Sequence, residues 1–306
     1  LTLNGGAAAQ LQSTSAEKIR VSGNLTATNW GGGDTTIMLN GAGSQTVTGN
    51  AGARLPSLQI SSSSGSVTFS GNIEIARNFT YSLGTVNTSS ATFKFVGPDP
   101  AIIDTSPSMD FYDLNLNKSG DITISGTAFA SSHLLVDMFS SATINTGFVE
   151  VDGGIDIQNA SPGSATLSIV GLSSQSINYT ATNYPFANTI VNKSTGDLNL
   201  ISDLPISDVG QDLTIQNGTV QMAGKNLDVA DILDLGASAT MIKDCGALTW
   251  GTKTGSGTIK PFQDTTININ DVVVDENQTA TLSVTLSAGV CAPVAFKWST
   301  ADGTAT

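Results

Sequence analysis

Apolar and polar residues alternate along this chain in short runs that are separated by Gly, Ser, Asn and Asp. A period of two is the pattern of a strand with one buried face. The clearest runs are Ile73-Glu74-Ile75, Leu114-Asn115-Leu116, Ile122-Thr123-Ile124, Ile155-Asp156-Ile157, Leu198-Asn199-Leu200, Leu213-Thr214-Ile215 and Ile267-Asn268-Ile269. The best helical candidate, residues 227–235, divides more simply into two such strands. We therefore predict an all-β chain with a strand about every 8 to 12 residues.

Some of these strands recur at long, fixed spacings. Three Ser-Ala-Thr copies, at positions 90, 164 and 238, are equally spaced, and each of them opens an alternating run. The segment that begins Asn117-Lys118-Ser119 matches the one that begins Asn192-Lys193-Ser194, and residues 36–41 precede a shorter-spaced match at 92–97. Internal repeats of about 56–74 residues indicate a stack of similar units, each contacting its neighbours.

Two β architectures are open for these strands. In a right-handed parallel β-helix each coil takes roughly 20 residues and successive coils stack about 4.8 Å apart. Residues 1–262 would then give about 12 or 13 coils and a rod roughly 60 Å long. In the alternative, each of the longer repeat units would be a small antiparallel sandwich. The longer and shorter units differ in length by close to one coil, gained or lost, so we expect the β-helix.

The net charge of the chain limits the classes of partner that we expect. Charged residues make up 12% of the 306 residues, and the formal net charge is −13. Nucleic acids and anionic membranes attract proteins through basic surfaces, so we expect neither as a partner. No run of apolar residues is long enough to span a bilayer, so no membrane insertion is predicted. The chain begins at Leu1 without Met or a signal peptide and stops at Thr306 inside a motif, so we expect a segment of a longer secreted polypeptide.

A resemblance to a class of proteins follows from the repeats. A Gly-Asp-Leu strand (Gly196-Asp197-Leu198), a Gly-Thr-Val turn (Gly218-Thr219-Val220) and an Ala-Thr-Leu strand that ends in Gly (residues 165–171) are typical elements. This pattern resembles the degenerate repeats of large bacterial secreted and surface proteins that have parallel β-helix shafts. The resemblance spans about residues 1–260 and implies an extracellular or cell-surface location.

The last part of the chain resembles a different family. Residues 267–277, 279–287 and 293–305 are similar, in order, to the first strands of a Calx-beta domain, an Ig-like β-sandwich. The resemblance implies that residues 263–306 are the N-terminal part of such a domain. Glu276 and Asp302 match family calcium-ligand positions, so calcium is the implied cofactor, although two carboxylates are fewer than the six to eight oxygens that Ca²⁺ binds.

An incomplete sandwich has open strand edges. Unpaired edges and half a hydrophobic core need a covering partner. The resemblance therefore implies that further domains of the same polypeptide, or a neighbouring copy that adds a strand, complete residues 263–306.

The two cysteines, Cys245 and Cys291, lie on opposite sides of the domain boundary near residue 262. In an extracellular chain, a disulfide between them would fix the last coil to the sandwich. Spacing alone does not show that the sulfur atoms meet. Together with the single His133 they are too few for a zinc site, which needs about four such ligands.

Some parallel β-helix proteins are polysaccharide lyases or hydrolases, so a catalytic site is an alternative function. Those sites need clustered acids and cations for proton abstraction and charge stabilisation. Here the 12 Lys and Arg are scattered. His133 is interpreted as a surface loop residue, and the acids Asp197, Asp203, Asp208 and Asp212, which cluster in sequence, more often cap turns. No nucleophile motif occurs, so we expect no enzyme and no catalytic residue.

Aromatic residues support a carbohydrate-binding alternative. Trp30 and Trp250 are flanked by Gly, so exposed rings would stack on sugars, whereas a position near the ends of the coil stack would make them caps. Trp298 is predicted to be core. An internal aromatic stack is predicted for Phe111, Tyr112, Tyr179, Tyr184 and Phe186.

These observations lead to a non-enzymatic, extracellular structural protein: a β-helical shaft of a large surface protein or a self-assembling filament. Its partners would be further copies, bound head to tail or laterally, or further domains of the same polypeptide. An adhesin for carbohydrate or a host or cell surface is the alternative, and a polysaccharide lyase or hydrolase is less favoured. An adhesin predicts an exposed aromatic or acidic tip, whereas a lyase predicts a groove that holds a cation and two or more acids.

Overall fold

The computed structural model describes residues 1–13, 18–106, 109–139 and 141–261, which form 24 β-strands and no helix. The all-β prediction is therefore confirmed for this part of the chain. The strands are β1 (Thr2–Gly6), β2 (Lys18–Val21), β3 (Leu25–Trp30), β4 (Thr36–Leu39), β5 (Gln45–Gly49), β6 (Arg54–Leu55), β7 (Ser57–Ile75), β8 (Phe79–Asn87), β9 (Ala91–Gly97), β10 (Ala101–Asp104), β11 (Asp110–Lys118), β12 (Ile122–Ser125), β13 (Thr127–Asp137), β14 (Ile144–Asn145), β15 (Phe148–Val151), β16 (Gly154–Asn159), β17 (Thr166–Ile169), β18 (Gln175–Tyr179), β19 (Asn188–Leu200), β20 (Leu204–Ile206), β21 (Asp212–Gln221), β22 (Leu227–Ile242), β23 (Leu248–Gly255) and β24 (Thr258–Lys260).

All pairings between these strands are parallel. Strands of one coil pair with strands of the neighbouring coils, which gives a parallel β-solenoid of about 12 turns. Stacked sandwiches would instead pair their strands antiparallel inside each unit. The solenoid alternative is therefore the correct one for the described residues.

The strands of the coils form three faces, which we name C, A and B in the order in which the chain meets them; between β16 and β19, two coils contribute strands to faces A and B only. On each face an apolar residue of one coil lies in register with an apolar residue of the next. The face A row is Phe111, Ala130, Val151, Ile169, Val191, Ile215 and Leu235. The face B row is Ile73, Phe93, Leu114, Leu134, Ile155, Ile177 and Leu200. The face C row is Ile37, Leu58, Phe79, Ile103 and Ile124.

These three rows form the core of the solenoid. Every member is at most 2% exposed. On face A the shortest step from one coil to the next runs from Val151 to Ile169 and the longest from Val191 to Ile215, and both are close to the predicted coil length. Each buried aliphatic or aromatic side chain contributes roughly 1.5–3 kcal/mol relative to its exposed state, so the continuous core is the main source of stability.

The most aromatic part of the core is a cluster of phenylalanines. Phe93 lies at the centre of this cluster, with its ring centroid 4.9 Å from those of Phe69 and Phe111 and 5.9 Å from that of Phe79. The rings meet in tilted or edge-to-face arrangements, which aromatic pairs prefer over direct stacking. Phe95 joins the cluster through edge contacts with Phe79 and Phe111.

The matched sequence segments do not occupy one face of the solenoid. Thr92 pairs with Asp113 on face B, Thr166 pairs with Phe148 on face A, and Thr240 lies on face B again, beside Thr258. The spacing between the Ser-Ala-Thr copies is therefore not a whole number of coils. The same sequence unit, a strand with its corner, therefore occurs at different corners of the solenoid. The structure itself repeats with each coil, which is shorter than the sequence repeat.

Glycines allow the coils to approach each other at the corners. A Cβ atom on Gly153 would lie 1.5 Å from the carbonyl oxygen of Ser132 in the preceding coil, and one on Gly33 would lie 1.9 Å from that of Leu11. No side chain fits such a distance. The high glycine content thus follows from coil stacking as well as from turn geometry.

Buried polar side chains bind the corner carbonyl groups. Gln45 donates from Nε2 to the carbonyl oxygens of Val21 (2.9 Å) and Gly23 (2.7 Å), and its Oε1 accepts from the Gly41 amide. Gln175 repeats the arrangement with the carbonyl oxygens of Val151 and Gly153. Because buried backbone groups need partners, these glutamines replace the strand bonds that end at each corner.

Two buried lysines act in the same way. Lys118 donates from Nζ to the carbonyl oxygens of Ala76 and Val96, both at 2.7 Å, in the two preceding coils. Lys193 donates to the Ser173 carbonyl at 2.8 Å and contacts the side-chain oxygen of Gln175. Both lysine side chains are buried. Burial lowers the pKa of the Lys118 ammonium to about 8 and also lowers the pKa of Lys193.

No helix among the described residues has the length and apolar character that a membrane crossing requires.

Candidate functional site

Several of the predicted site residues lie outside the described residues. These include the two calcium-ligand positions, Glu276 and Asp302, the second cysteine, Cys291, and Trp298. Cys245 lies in the corner that follows β22, with a left-handed backbone (φ 76°). The calcium site and the disulfide between Cys245 and Cys291 therefore stay predictions.

Three of the four acids that cluster in sequence have separate partners in the structure. Asp203 accepts bonds from the backbone and side chain of Asn226 (2.8 and 3.1 Å), and Asp212 accepts from the Ile232 amide at 3.0 Å. Asp197 binds the side chain of Gln221 at 3.1 Å on another face. Within the described part of the chain, no three Asp, Glu, His or Cys side chains form a metal-binding group. These three acids thus join coils or turns.

The interpretation of His133 as a loop residue is wrong, because it lies in strand β13, where it belongs to a polar ladder on face B. Its Nε2 lies 2.9 Å from Oδ2 of Asp156, and Oδ1 of Asp156 accepts from Asn178 at 3.0 Å in the following coil. A second ladder joins Asn117, Asp137 and Asn159 through two bonds of 2.7 Å. Ladders of this kind link neighbouring rungs in a sheet.

Some of the aromatic residues lie in the core as predicted, and others are exposed. Trp30 packs against the core and donates its indole N–H to the Gly32 carbonyl (3.1 Å), whereas Trp250 is 41% exposed. Of the five residues in the predicted internal stack, Phe111, Tyr179, Tyr184 and Phe186 are buried. The prediction for Tyr112 is wrong, because its ring lies outside the solenoid and is 39% exposed. Period two in β11 turns Phe111 inward and its neighbour outward.

Tyr112 forms part of a groove that we call the tyrosine groove. The groove has a volume of about 400 Å³ and is lined by residues of three successive coils. Its main lining residues are Tyr81, Asn87, Ser89, Asp110, Tyr112 and Ser131. A volume of roughly 300–1,000 Å³ with aromatic walls and a few polar groups is typical of small-molecule sites.

Local hydrogen bonds hold the walls of the tyrosine groove. Tyr81 donates its hydroxyl to the carbonyl of Gly84 at 2.6 Å, which fixes the ring. Thr88, which is buried, donates to the carbonyl of Asp110 at 2.9 Å and so joins two coils beneath the groove. Ser131 donates to the carbonyl of Phe111 at 3.2 Å. The groove is therefore built on the rigid sheet.

The charge of the tyrosine groove is negative. Among the described residues, Asp110 is the only ionised group in its lining, and no Lys or Arg lines it. Glu150 lies two coils further along the same outward row of face A. Burial, together with the charge of Asp110, raises the pKa of the Glu150 carboxyl. A neutral ligand suits this field better than an anionic one.

A second, smaller groove lies near the first coils and is called the arginine groove. It has a volume of about 220 Å³, and its charged lining residues are Asp34, Arg54, Arg77 and Asp99. Nη2 of Arg77 lies 3.1 Å from Oδ2 of Asp99, and Asp34 accepts from the Ser13 amide at 2.7 Å. A groove with cations and two acids matches the pattern expected of a lyase, but both acids already bind protein groups. Sequence reasoning missed it because its residues come from separate coils.

Comparison with known proteins gives no matching family model, no similar curated protein and no similar solved structure.

Proposed function

We propose that residues 1–262 form a non-enzymatic structural shaft, the right-handed β-helical part of a large extracellular surface protein or of a self-assembling fibre. The observation that supports this most is the continuity of the buried apolar rows of faces A and B through successive coils. A close-packed core with low compressibility makes the array behave as one stiff element. Right-handed winding is the hand that parallel crossover connections prefer.

The outer surface also supports a shaft. Side-chain ladders on face B tie coils together where they meet solvent, as in the bonds of Asp137 to Asn117 and Asn159. Charged residues are few along the chain, so repulsion between rungs is small. An adhesin is compatible with the same rod, because a shaft can carry a ligand site on one face.

Electron microscopy combined with small-angle X-ray scattering tests the shaft. About 12 turns at roughly 4.8 Å each correspond to a rod of roughly 60 Å. Single rods of one length at all concentrations would support a shaft that continues into further domains of its own polypeptide. Rods that lengthen with protein concentration would support head-to-tail assembly, and broader bundles would support lateral assembly. A compact globule would overturn the proposal.

The proposal includes a Calx-beta-like sandwich at residues 263–306 that binds calcium through Glu276 and Asp302. The support is the family resemblance of those residues and the preference of Ca²⁺ for carboxylate oxygens. Thermal unfolding with CaCl₂, with MgCl₂ and with a chelator tests it. Calcium should raise the transition of the native chain and not that of a Glu276→Gln, Asp302→Asn double variant. Asp231→Asn, at an exposed acid on the solenoid, is the matched control.

A polysaccharide lyase is the second candidate, favoured by one observation, the presence of Arg54 and Arg77 together with Asp34 and Asp99 in one groove. Its test is the ultraviolet absorbance of unsaturated uronates after incubation with polygalacturonate, alginate or hyaluronate. We expect no product. Product formation that Arg77→Ala abolishes, while the exposed-site variant Lys18→Ala keeps it, would replace the structural proposal by an enzymatic one.

A further inference from the structure

We propose that the tyrosine groove binds a neutral oligosaccharide, a function that goes beyond that of a structural shaft. The ring of Tyr112 would provide the stacking surface, and Asn87 and Asp110 would bind sugar hydroxyls.

The aromatic wall of the groove offers a stacking surface for a sugar ring. Tyr112 is 39% exposed, and no hydrogen bond of its hydroxyl is present among the described residues. A tyrosine whose face meets solvent and whose hydroxyl is available presents an apolar surface and a polar edge together. The C–H faces and hydroxyl rims of a pyranose have the complementary arrangement. Tyr81, held by its bond to Gly84, lines the same groove.

The polar groups of the groove are arranged to bind sugar hydroxyls. Oδ1 of Asn87 accepts from both the amide and the hydroxyl of Ser89, at 3.1 and 2.8 Å, which fixes the side chain and leaves its NH₂ group available as a donor. Asp110 is exposed, and its carboxylate has neither an ion pair nor a hydrogen bond among the described residues. A fixed donor beside an acceptor-only group suits hydroxyls, which both donate and accept.

The size and charge of the tyrosine groove indicate the class of ligand that it binds. The lining spans three coils, from Asn87 through Asp110 to Ser131, which corresponds to roughly 10 Å at the usual strand spacing. That length and a volume of about 400 Å³ suit a disaccharide unit. The groove has a carboxylate and, among the residues described, no cation, so uronates and sulfated sugars are disfavoured by charge repulsion. The ligand is therefore a neutral hexose-based glycan.

The experiment is titration calorimetry of the full chain with cellobiose, maltose, lactose and N,N′-diacetylchitobiose, and with digalacturonate as an anionic comparison. We expect at least one neutral disaccharide to bind and digalacturonate not to bind. Tyr112→Ala should weaken binding about tenfold, the equivalent of roughly 1.4 kcal/mol. Asp110→Asn should weaken it as well, because the amide loses one of the two acceptor oxygens.

Phe139→Ala is the matched control, since it removes an exposed aromatic ring that does not line the tyrosine groove and should leave affinity unchanged. Circular dichroism of each variant checks that the solenoid is intact. Absence of binding of all four neutral sugars at millimolar concentration would overturn the inference, as would equal binding by Tyr112→Ala or by digalacturonate. None of these results bears on the shaft, which microscopy tests independently.

If binding is found, pull-down on insoluble cellulose and chitin and on a terminal-galactose glycoprotein distinguishes a polysaccharide source from a cell-surface glycan. Retention on any of them that Tyr112→Ala removes supports the inference. Retention that the variant keeps would contradict it.

Discussion

The ammonium group of Lys118 lies 2.7 Å from the carbonyl oxygen of Val96, one coil earlier, and the lysine side chain is completely buried. No carboxylate forms an ion pair with it among the described residues. Instead, backbone carbonyl groups of the two preceding coils accept hydrogen bonds from the ammonium group. These carbonyl groups lie where strands end, so the sheet does not supply their partners. This arrangement gives the carbonyl groups at the corner their hydrogen-bond partners, but it requires desolvation of an ammonium group, which is unfavourable.

That cost gives the first prediction, a rise in stability at alkaline pH. The folded-state pKa of Lys118 is about 8 and the ordinary value is 10.5, so the folded chain releases this proton at lower pH than the unfolded chain. The free-energy penalty of burying the charged ammonium is fully present below pH 8. It decreases as the pH rises toward 10.5, because the folded chain then contains the neutral amine. We expect the free energy of unfolding of the native chain, relative to Lys118→Met, to increase by about 1–3 kcal/mol over this window.

Urea unfolding series below and across the window measure this difference. Lys94→Met, which removes a partly exposed lysine from an outward position of face B, is the control and should keep the pH dependence of the native chain. Parallel stability curves for the native chain and Lys118→Met would show that the buried ammonium is not the titrating group.

The second prediction concerns the corner glutamines. Gln45→Leu keeps the approximate volume but leaves the carbonyls of Val21 and Gly23 and the amide of Gly41 without these partners. An unsatisfied buried group costs about 1–3 kcal/mol, so the variant should lose at least that much stability in denaturant unfolding. Gln216→Leu, at an exposed position, should change stability by less than about 0.5 kcal/mol. Equal stabilities of the two variants would mean that water replaces the glutamine.

The strands and the core rows were predictable from the sequence, and the grooves were not. Alternation in segments such as Leu114-Asn115-Leu116 is a local signal, and it identifies the buried residues wherever one face of a strand meets the core. The repeated Gly-x-x-Ser-Gln at residues 41–45 and 171–175 was a readable signal for the corner glutamines. It was missed because Gln is usually a surface residue.

The tyrosine groove required information that no local pattern contains. It joins Asn87, Asp110 and Ser131, and their alignment depends on the length of each intervening coil. Coil length varies through insertions at corners, as the short step from Val151 to Ile169 and the long step from Val191 to Ile215 show on face A alone. The burial of Lys118 escaped prediction for a related reason, since its acceptors lie in two earlier coils.

The third prediction tests the phenylalanine cluster. Phe93→Ala removes a ring that contacts Phe69, Phe79 and Phe111 and leaves a cavity in the aromatic part of the core. Such truncations cost about 3–5 kcal/mol. Phe148→Ala, at a ring that is 45% exposed on face A, should cost far less. Chemical denaturation monitored by circular dichroism compares them, and a similar loss in both would indicate that the cluster is not tightly packed.

The fourth prediction concerns the contact between consecutive coils. A methyl group on Gly153 would lie 1.5 Å from the carbonyl oxygen of Ser132, a backbone atom that cannot rotate away. Gly153→Ala must therefore push two coils apart or twist the corner, and overpacking of this kind costs about 1–3 kcal/mol or more. Gly43→Ala is the matched control, because no atom lies within 4 Å of its added methyl group. Thermal unfolding should show a lower midpoint for Gly153→Ala and an unchanged or slightly higher midpoint for Gly43→Ala, since alanine restricts the unfolded chain. If both variants melt like the native chain, the coils are not in van der Waals contact at this corner, and the close stacking on which the stiffness of the shaft depends would be lost there.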